Sequence, residues 1–366
     1  MTVNFIGMIV STNYSETRPV VGPAIDPAFI DRFAQAHEEA GFDRILIDKS
    51  SSGPDTILIA SRIAAVTKNL KLMLAHRPGF TAPTLAARQF ATLDHLSGGR
   101  AAIHVISGGN DAEQRRDGDF LSHDERYART DEYIDIMKKI WTSNAPIDHD
   151  GRFYRFQNAQ ADVKPVQQPH IPIFFGGASD VAIKVAARHA SIYALWGEPL
   201  DQTRELIAKV RAAFAAEGRP VEFSLSVRPV LASTEAAAWQ RAEAIRDRVK
   251  ELIAAGRSGQ PNLKPENAGS QRLLQAAARS PVLDKRLWTE IAGLTGAPGN
   301  STALVGTPQQ VAEALLDYYD LGITTFLIRG FDPFEDAVDY GRELIPLVRA
   351  EVARRTSKIP IDRASA

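Results

Sequence analysis

Cysteine is missing altogether from the 366 residues. Its absence excludes disulfides, thiolate nucleophiles and cysteine-ligated metal. Charge of one sign is not in excess either: 43 Lys and Arg face 44 Asp and Glu, a formal net charge of −1. No global field therefore draws in nucleic acid or an anionic membrane, and any positive potential must be local. No apolar run reaches spanning length, and the opening MTVNFIGMIV has neither a basic n-region nor a small-residue cleavage site. A soluble cytoplasmic protein is the expectation. The eight histidines are scattered, with no two at ligand spacing beside a carboxylate, so no metal site is expected. Neither a GxSxG elbow nor a P-loop occurs.

Strand-length apolar runs are present and alternate with helical patterns almost throughout. Strands are expected at 3–10, 44–47, 70–75, 101–106, 171–175, 191–195, 223–232 and 324–328, with a hairpin insertion near 149–156. Helical periodicity fills the intervals 26–40, 56–66, 84–96, 124–141 and 335–349; the first stops at Gly41, a residue suited to ending a helix. Eight strands separated mostly by helices predict an α/β fold of parallel strands, a (β/α)8 TIM barrel with insertions, formed by residues 1–350 as a single domain. An open doubly wound sheet is the structural alternative. Strands seven and eight are separated by a long insertion, 233–322. It begins with a helix at 235–255 and continues through a polar, turn-rich stretch at 256–270. Its position predicts a mobile lid over 256–300. Residues 351–366 read as a C-terminal arm.

Function in such a barrel sits just beyond the C-terminal strand ends. The fifth strand runs into Gly176, Gly177, Ala178 and Ser179 before a helix. Paired glycines admit a close ligand, and a fresh helix N-terminus offers free N–H groups to an anion such as phosphate. The sixth ends at Trp196 in the turn WGEP. The remaining ends supply His76 and Arg77, Ser107, Arg228 and Arg329, with Asp48 as the one carboxylate among them. One carboxylate is too few for hydrolysis by paired acids. What remains is a pocket for anions and for a flat cofactor whose own atoms do the chemistry. Arg228 lies within a strand, where burying a guanidinium is costly unless an anion compensates it, so it is expected to face a ligand. Arg77 and Arg329 are open between ligand and a neighbouring carboxylate, and His76 between ligand and a satisfied rim position.

At these residues the chain resembles the bacterial-luciferase-like flavin monooxygenases, in particular their alkanesulfonate monooxygenase branch. The matching segments are PTLAARQ (83–89), ATLDHLS (91–97), DGDFL (117–121), HDERY (123–127), GGASD (176–180), WGEP (196–199) and TALVG (302–306). They keep their order over about residues 5 to 350. The resemblance implies a TIM barrel that takes reduced FMN from a separate NAD(P)H-dependent flavin reductase. It further implies activation of dioxygen and cleavage of a C–S bond in a small organosulfur substrate, most simply an alkanesulfonate yielding aldehyde and sulfite. A homodimer or homotetramer is implied as well. The phosphate would lie on Gly176, Gly177, Ala178 and Ser179, with Tyr127 reaching it from the long helix. Ser107 would stand near the flavin, and Trp196 on the substrate side with Arg77.

The substrate half departs from the family. The family's strand-seven arginine and histidine are Ser226 and Arg228 here, its tyrosine after strand eight is Phe331, and its insertion arginine has no counterpart in GLTGAPGN at 293–300. A sulfonate head suits a guanidinium fork, which Arg228, Arg77 and Arg329 are expected to supply. The losses equally admit a sulfone, an amine or another small oxidisable molecule. The same barrel also serves deazaflavin-dependent oxidoreductases, and a non-catalytic flavin binder is a third reading.

Overall fold

The computed structural model describes residues 2–257 and 265–357. Eight parallel strands close on themselves: β1 (Asn4–Ile9), β2 (Arg44–Ile47), β3 (Lys71–His76), β4 (Ala101–Val105), then, after a hairpin of β5 (Ile147–Asp150) and β6 (Arg155–Ala159), β7 (Ile173–Gly176) and β8 (Ile192–Trp196). The ring continues through β9 (Glu222–Leu231). Outside it lie the short β10 (Val282–Leu283), β11 (Leu287–Trp288) and β12 (Ala303–Gly306), and β13 (Ile323–Ile328) pairs with both β9 and β1 to close it. The closed barrel, rather than the open sheet, is the fold.

Helices cover the outside: α1 (Pro27–Glu39), α2 (Thr56–Val66), α3 (Pro83–Leu96), α4 (Asp111–Arg116), α5 (His123–Thr142), α6 (Asp180–His189), α7 (Leu200–Ala216) and α8 (Glu235–Ala254). They are followed by α9 (Ala268–Arg279), α10 (Glu290–Thr295), α11 (Pro308–Asp320), α12 (Pro333–Asp339) and α13 (Ile345–Ser357). Their starts are written locally. Asp26 caps α1 ahead of Pro27, accepting from the Phe29 N–H at 3.0 Å. Ser122 and Glu125 form a reciprocal capping box on α5. The last helix reaches Ser357, with Val352 buried, so the expected arm begins as helix; residues 358–366 lie outside the described region.

Side-chain parity sorts each strand between two cores. Ile6, Met73, Ala102 and Phe174 point inward and plug the barrel, with Leu46, Ile192 and Leu327 packed against them. Their alternates, such as Phe5, Leu74, Ile103, Phe175 and Leu225, pack against the helices. The insertion is more ordered than its composition suggests. β12 returns to pair in parallel with the upper half of β9, Ala303 opposite Arg228 through Gly306 opposite Leu231. The four-residue TALVG core is thus a strand extending the wall above the barrel. Among the described residues no helix is long and apolar enough to cross a membrane.

Candidate active site

A cavity of about 840 Å³ opens at the C-terminal ends of β4, β7 and β8. All six expected cofactor residues line it: Ser107, Tyr127, Gly176, Gly177, Ala178 and Ser179. Trp196 and Arg77 share the lining; His76, Arg228 and Arg329 do not.

The glycine turn has the shape its sequence implies. Gly177 has φ +131, and a Cβ there would sit 2.9 Å from the Ala182 Cβ and 3.0 Å from the Tyr127 Oη. A side chain would close the space between the turn and the tyrosine. The Tyr193 hydroxyl donates to the Gly177 carbonyl and fixes the peptide from below. Ser179 caps α6, its Oγ accepting from the Ala182 N–H at 3.4 Å. Burial pushes the Tyr127 phenol up to about 12, partly offset by the neighbouring Ser179 hydroxyl. It remains a protonated donor at any physiological pH. The first-turn N–H groups of α6, the Ser179 hydroxyl and the Tyr127 hydroxyl are therefore a donor set suited to a phosphate, the first-turn carboxylate of Asp180 being exposed, outside the lining and paired with Lys209.

Ser107 borders the cavity just beyond β4, the strand paired with β7. Thr130 donates its hydroxyl to the Arg126 carbonyl at 2.8 Å, so Ser107 donates to Thr130 at 3.0 Å and turns its lone pairs to the cavity. His104, three residues earlier, also lines the cavity, and its Nδ1 has no hydrogen-bond partner. Burial lowers its pKa to about 4, which leaves a neutral imidazole. Sequence reading missed His104, although inward parity with Ala102 carried the signal.

The roof comes from the insertion. Residues 265–270 and 295–298 include cavity-lining positions, and Gly269 allows α9 to lie on Trp196, where an added Cβ would meet the indole at 2.6 Å. Arg272 of α9 forks onto Glu198 with contacts of 2.7–3.0 Å, tying the roof to the turn after β8. Gly197, between Trp196 and Glu198, is required because Thr302 donates to its carbonyl at 2.7 Å and a Cβ would meet that hydroxyl at 2.6 Å. Of the expected polar stretch 256–270, residues 258–264 lie outside the described region.

The expected group of ligand-facing arginines is arranged differently. Arg228 is fully buried: it pairs with Glu16 at 2.9 Å, donates to the Gly330 carbonyl at 2.8 Å, and lies 3.4 Å over the Phe331 ring. Arg329 pairs with the same Glu16 and donates to the Met8 Sδ at 3.4 Å. Arg77 lines the cavity but is paired with Glu113 at 2.6 Å and has only 5 % of its side chain exposed. The compensating anion for Arg228 is thus a side chain of the protein. Glu16 lies in the long connection after β1, and no sequence spacing links it to a partner more than two hundred positions away. His76 is turned outward, its Nε2 2.9 Å from the Tyr133 Oη and its ring edge-on to Phe90. Burial, with Lys49 adding to it, lowers its pKa to about 4. Among the described residues no group of three His, Asp or Glu is placed to hold a metal.

The family model described as luciferase-like monooxygenase matches residues 6–325. The chain belongs to the luciferase-like monooxygenase family. Solved structures of similar shape include a riboflavin lyase, RcaE, with modified FMN and riboflavin, at 20% identity and TM-score 0.80 over 96% of this chain and 92% of that one. EDTA monooxygenase (EmoA) from Chelativorans sp. BNC1 gives 19%, 0.76, 96% and 94%. DmoA from Hyphomicrobium sulfonivorans gives 22%, 0.75, 96% and 88%. At such identities the likeness to these structures carries the barrel alone, and the family's substrates do not transfer with it.

Proposed function

We propose that the protein is the oxygenase of a two-component system, binding reduced FMN supplied by an NAD(P)H-dependent flavin reductase and using dioxygen to oxidise a small organosulfur compound. The observation that carries the cofactor is the convergence of Ser107, Tyr127 and residues 176–179 on one cavity, with a space at Gly177 that a Cβ would fill. That donor set fits a phosphomonoester, and a structural relative is described with modified FMN. Bound there, reduced FMN supplies the electrons that activate dioxygen.

The chain's own residues do the rest. The α6 N-terminus, Ser179 and Tyr127 hold the phosphate, and Ser107 offers an acceptor to a ring N–H. Trp196 and the α9 roof narrow the access of water to the reacting side. An alkanesulfonate was the substrate implied by the resemblance, with Arg228, Arg77 and Arg329 expected to supply guanidiniums for it. With Arg228 and Arg329 held by Glu16 and Arg77 by Glu113, an uncharged organosulfur compound such as a sulfone is favoured over it. A homodimer or homotetramer remains part of the proposal.

The test of the phosphate site is Ser179→Ala combined with Tyr127→Phe. Each removes a hydrogen bond to a charged group, of ~1.5–3 kcal/mol, so reduced-FMN affinity is expected to fall at least about 100-fold in an anaerobic fluorescence titration. Affinity equal to wild type would contradict the assignment. Dioxygen consumption with added flavin reductase, over a panel of sulfones and sulfonates, tests the reaction itself.

A further inference from the structure

We infer that Glu16 is a specificity-determining residue of this site: a carboxylate of the chain that fills the anion position on the inner wall of the cavity and confines the enzyme to uncharged substrates. The inference rests on the reading of this cavity as the oxygenation site.

Glu16 stands between the cavity and the two guanidiniums. It lines the cavity with a quarter of its side chain exposed, whereas Arg228 behind it is fully buried and Arg329 lies outside the lining. Both arginines turn to it, one on each carboxylate oxygen. Their hold keeps it ionised; burial alone would raise the carboxyl, yet Arg228 and Arg329 bring it down to about 2.

The carboxylate is also fastened in place. Ser15 and Thr17, on either side, donate to the Phe331 carbonyl at 2.6 and 3.1 Å, and Arg18 pairs with Asp332 at 2.9 Å. A residue clamped at both flanks is a fixed wall, not a swinging gate. The pair it satisfies still has capacity: Nε of Arg228 and Nε of Arg329 are buried without a hydrogen-bond partner, and Nη1 of Arg228, 2.9 Å from Glu16 Oε2, lies outside hydrogen-bond geometry. Two guanidiniums with spare donors match a head with three oxygens better than a carboxylate with two. The rest of the lining compounds the exclusion, since Glu113, Glu198 and Glu266 face the cavity together with the single guanidinium of Arg77. An anion reaching this wall of the wild-type cavity meets the Glu16 carboxylate, whereas the phosphate donors belong to α6 and Tyr127.

The experiment compares two probes of nearly the same shape, methanesulfonate and dimethyl sulfone, by thermal shift and competition at constant ionic strength, with FMN at saturation so that the phosphate donors of α6 and Tyr127 are occupied. Wild type is expected to show no saturable response to methanesulfonate up to ~10 mM, while dimethyl sulfone binds. Glu16→Ala is expected to gain saturable methanesulfonate binding, at least about tenfold tighter than wild type, with a melting temperature that rises with the anion. Acetate, which replaces the deleted group, should raise it as well. Should the alanine variant fail to fold by itself, refolding in acetate refills the vacated position, and exchange of acetate for methanesulfonate is expected to give the same anion-dependent rise. Saturable methanesulfonate binding by wild type would overturn the inference, as would a folded variant with no anion response. Reduced FMN titrated on the same wild-type sample reports separately on the cofactor: its failure to bind would strike the flavin reading and leave the anion result standing.

Discussion

Arg228→Ala is expected to destabilise the protein by about 3–5 kcal/mol, the range for removing one partner of a buried ion pair. The substitution leaves Glu16 with Arg329 alone, removes the donor to the Gly330 carbonyl and uncovers the Phe331 ring. The pH dependence gives a second readout. The Glu16 carboxyl lies at about 2 in the folded chain against an ordinary value of 4.5. A depressed folded pKa contributes stability that is fully present above 4.5 and is lost as pH falls toward 2. At ~1.36 kcal/mol per pH unit the contribution is about 3 kcal/mol. Urea denaturation of wild type should weaken through that window, and Arg228→Ala should lose most of the slope. Arg228→Met restores volume but not charge and should remain nearly as unstable at pH 7. Glu16→Gln in combination with Arg228→Met should recover much of the loss, since the fully buried guanidinium and its carboxylate go together and only the partly exposed Arg329 is left without its partner. A cost below about 1 kcal/mol for Arg228→Ala would mean that the pair is not the buried unit described here.

Gly177→Ala is expected to lower reduced-FMN affinity by about 100-fold, the equivalent of two hydrogen bonds to a charged group. Two effects act together. At φ +131 a non-glycine residue is strained by about 1–3 kcal/mol. The new Cβ also meets the Ala182 Cβ at 2.9 Å and the Tyr127 Oη at 3.0 Å. Ala182 is backbone-anchored in α6 and cannot retreat, so the tyrosine is displaced or the turn opens; either breaks the donor set. A melting curve on the same sample separates the local loss from general unfolding. Retained FMN affinity in the folded variant would show that the phosphate does not approach this turn.

What could be read from the sequence follows the range of the interactions. The barrel was legible because each βα unit announces itself within a few dozen residues, through period-two and period-3.6 patterns and local caps such as Ser122 with Glu125. The cradle was legible for the same reason: Gly177, Ser179 and the start of α6 are one contiguous segment. β12 was not recognised as a strand, because four residues carry no periodicity and its pairing with β9 is decided by tertiary contact. His76 follows inward-pointing Met73 by three residues, an odd step that places it on the outer face. Strict parity along β3 separates it from Arg77, which does reach the cavity. Arg228 was correctly judged to need an anion, yet that anion is Glu16, contributed by an aperiodic loop at the opposite end of the chain. Charge pairing across such a distance is fixed only when the barrel closes.

The account depends on a terminal phosphate seated at the N-terminus of α6. Anaerobic titration of reduced FMN and of reduced riboflavin, which differ only in that phosphate, tests it most directly. Tighter binding of reduced FMN by at least about tenfold, abolished by Gly177→Ala, is the predicted result. Equal affinity for the two flavins would contradict it.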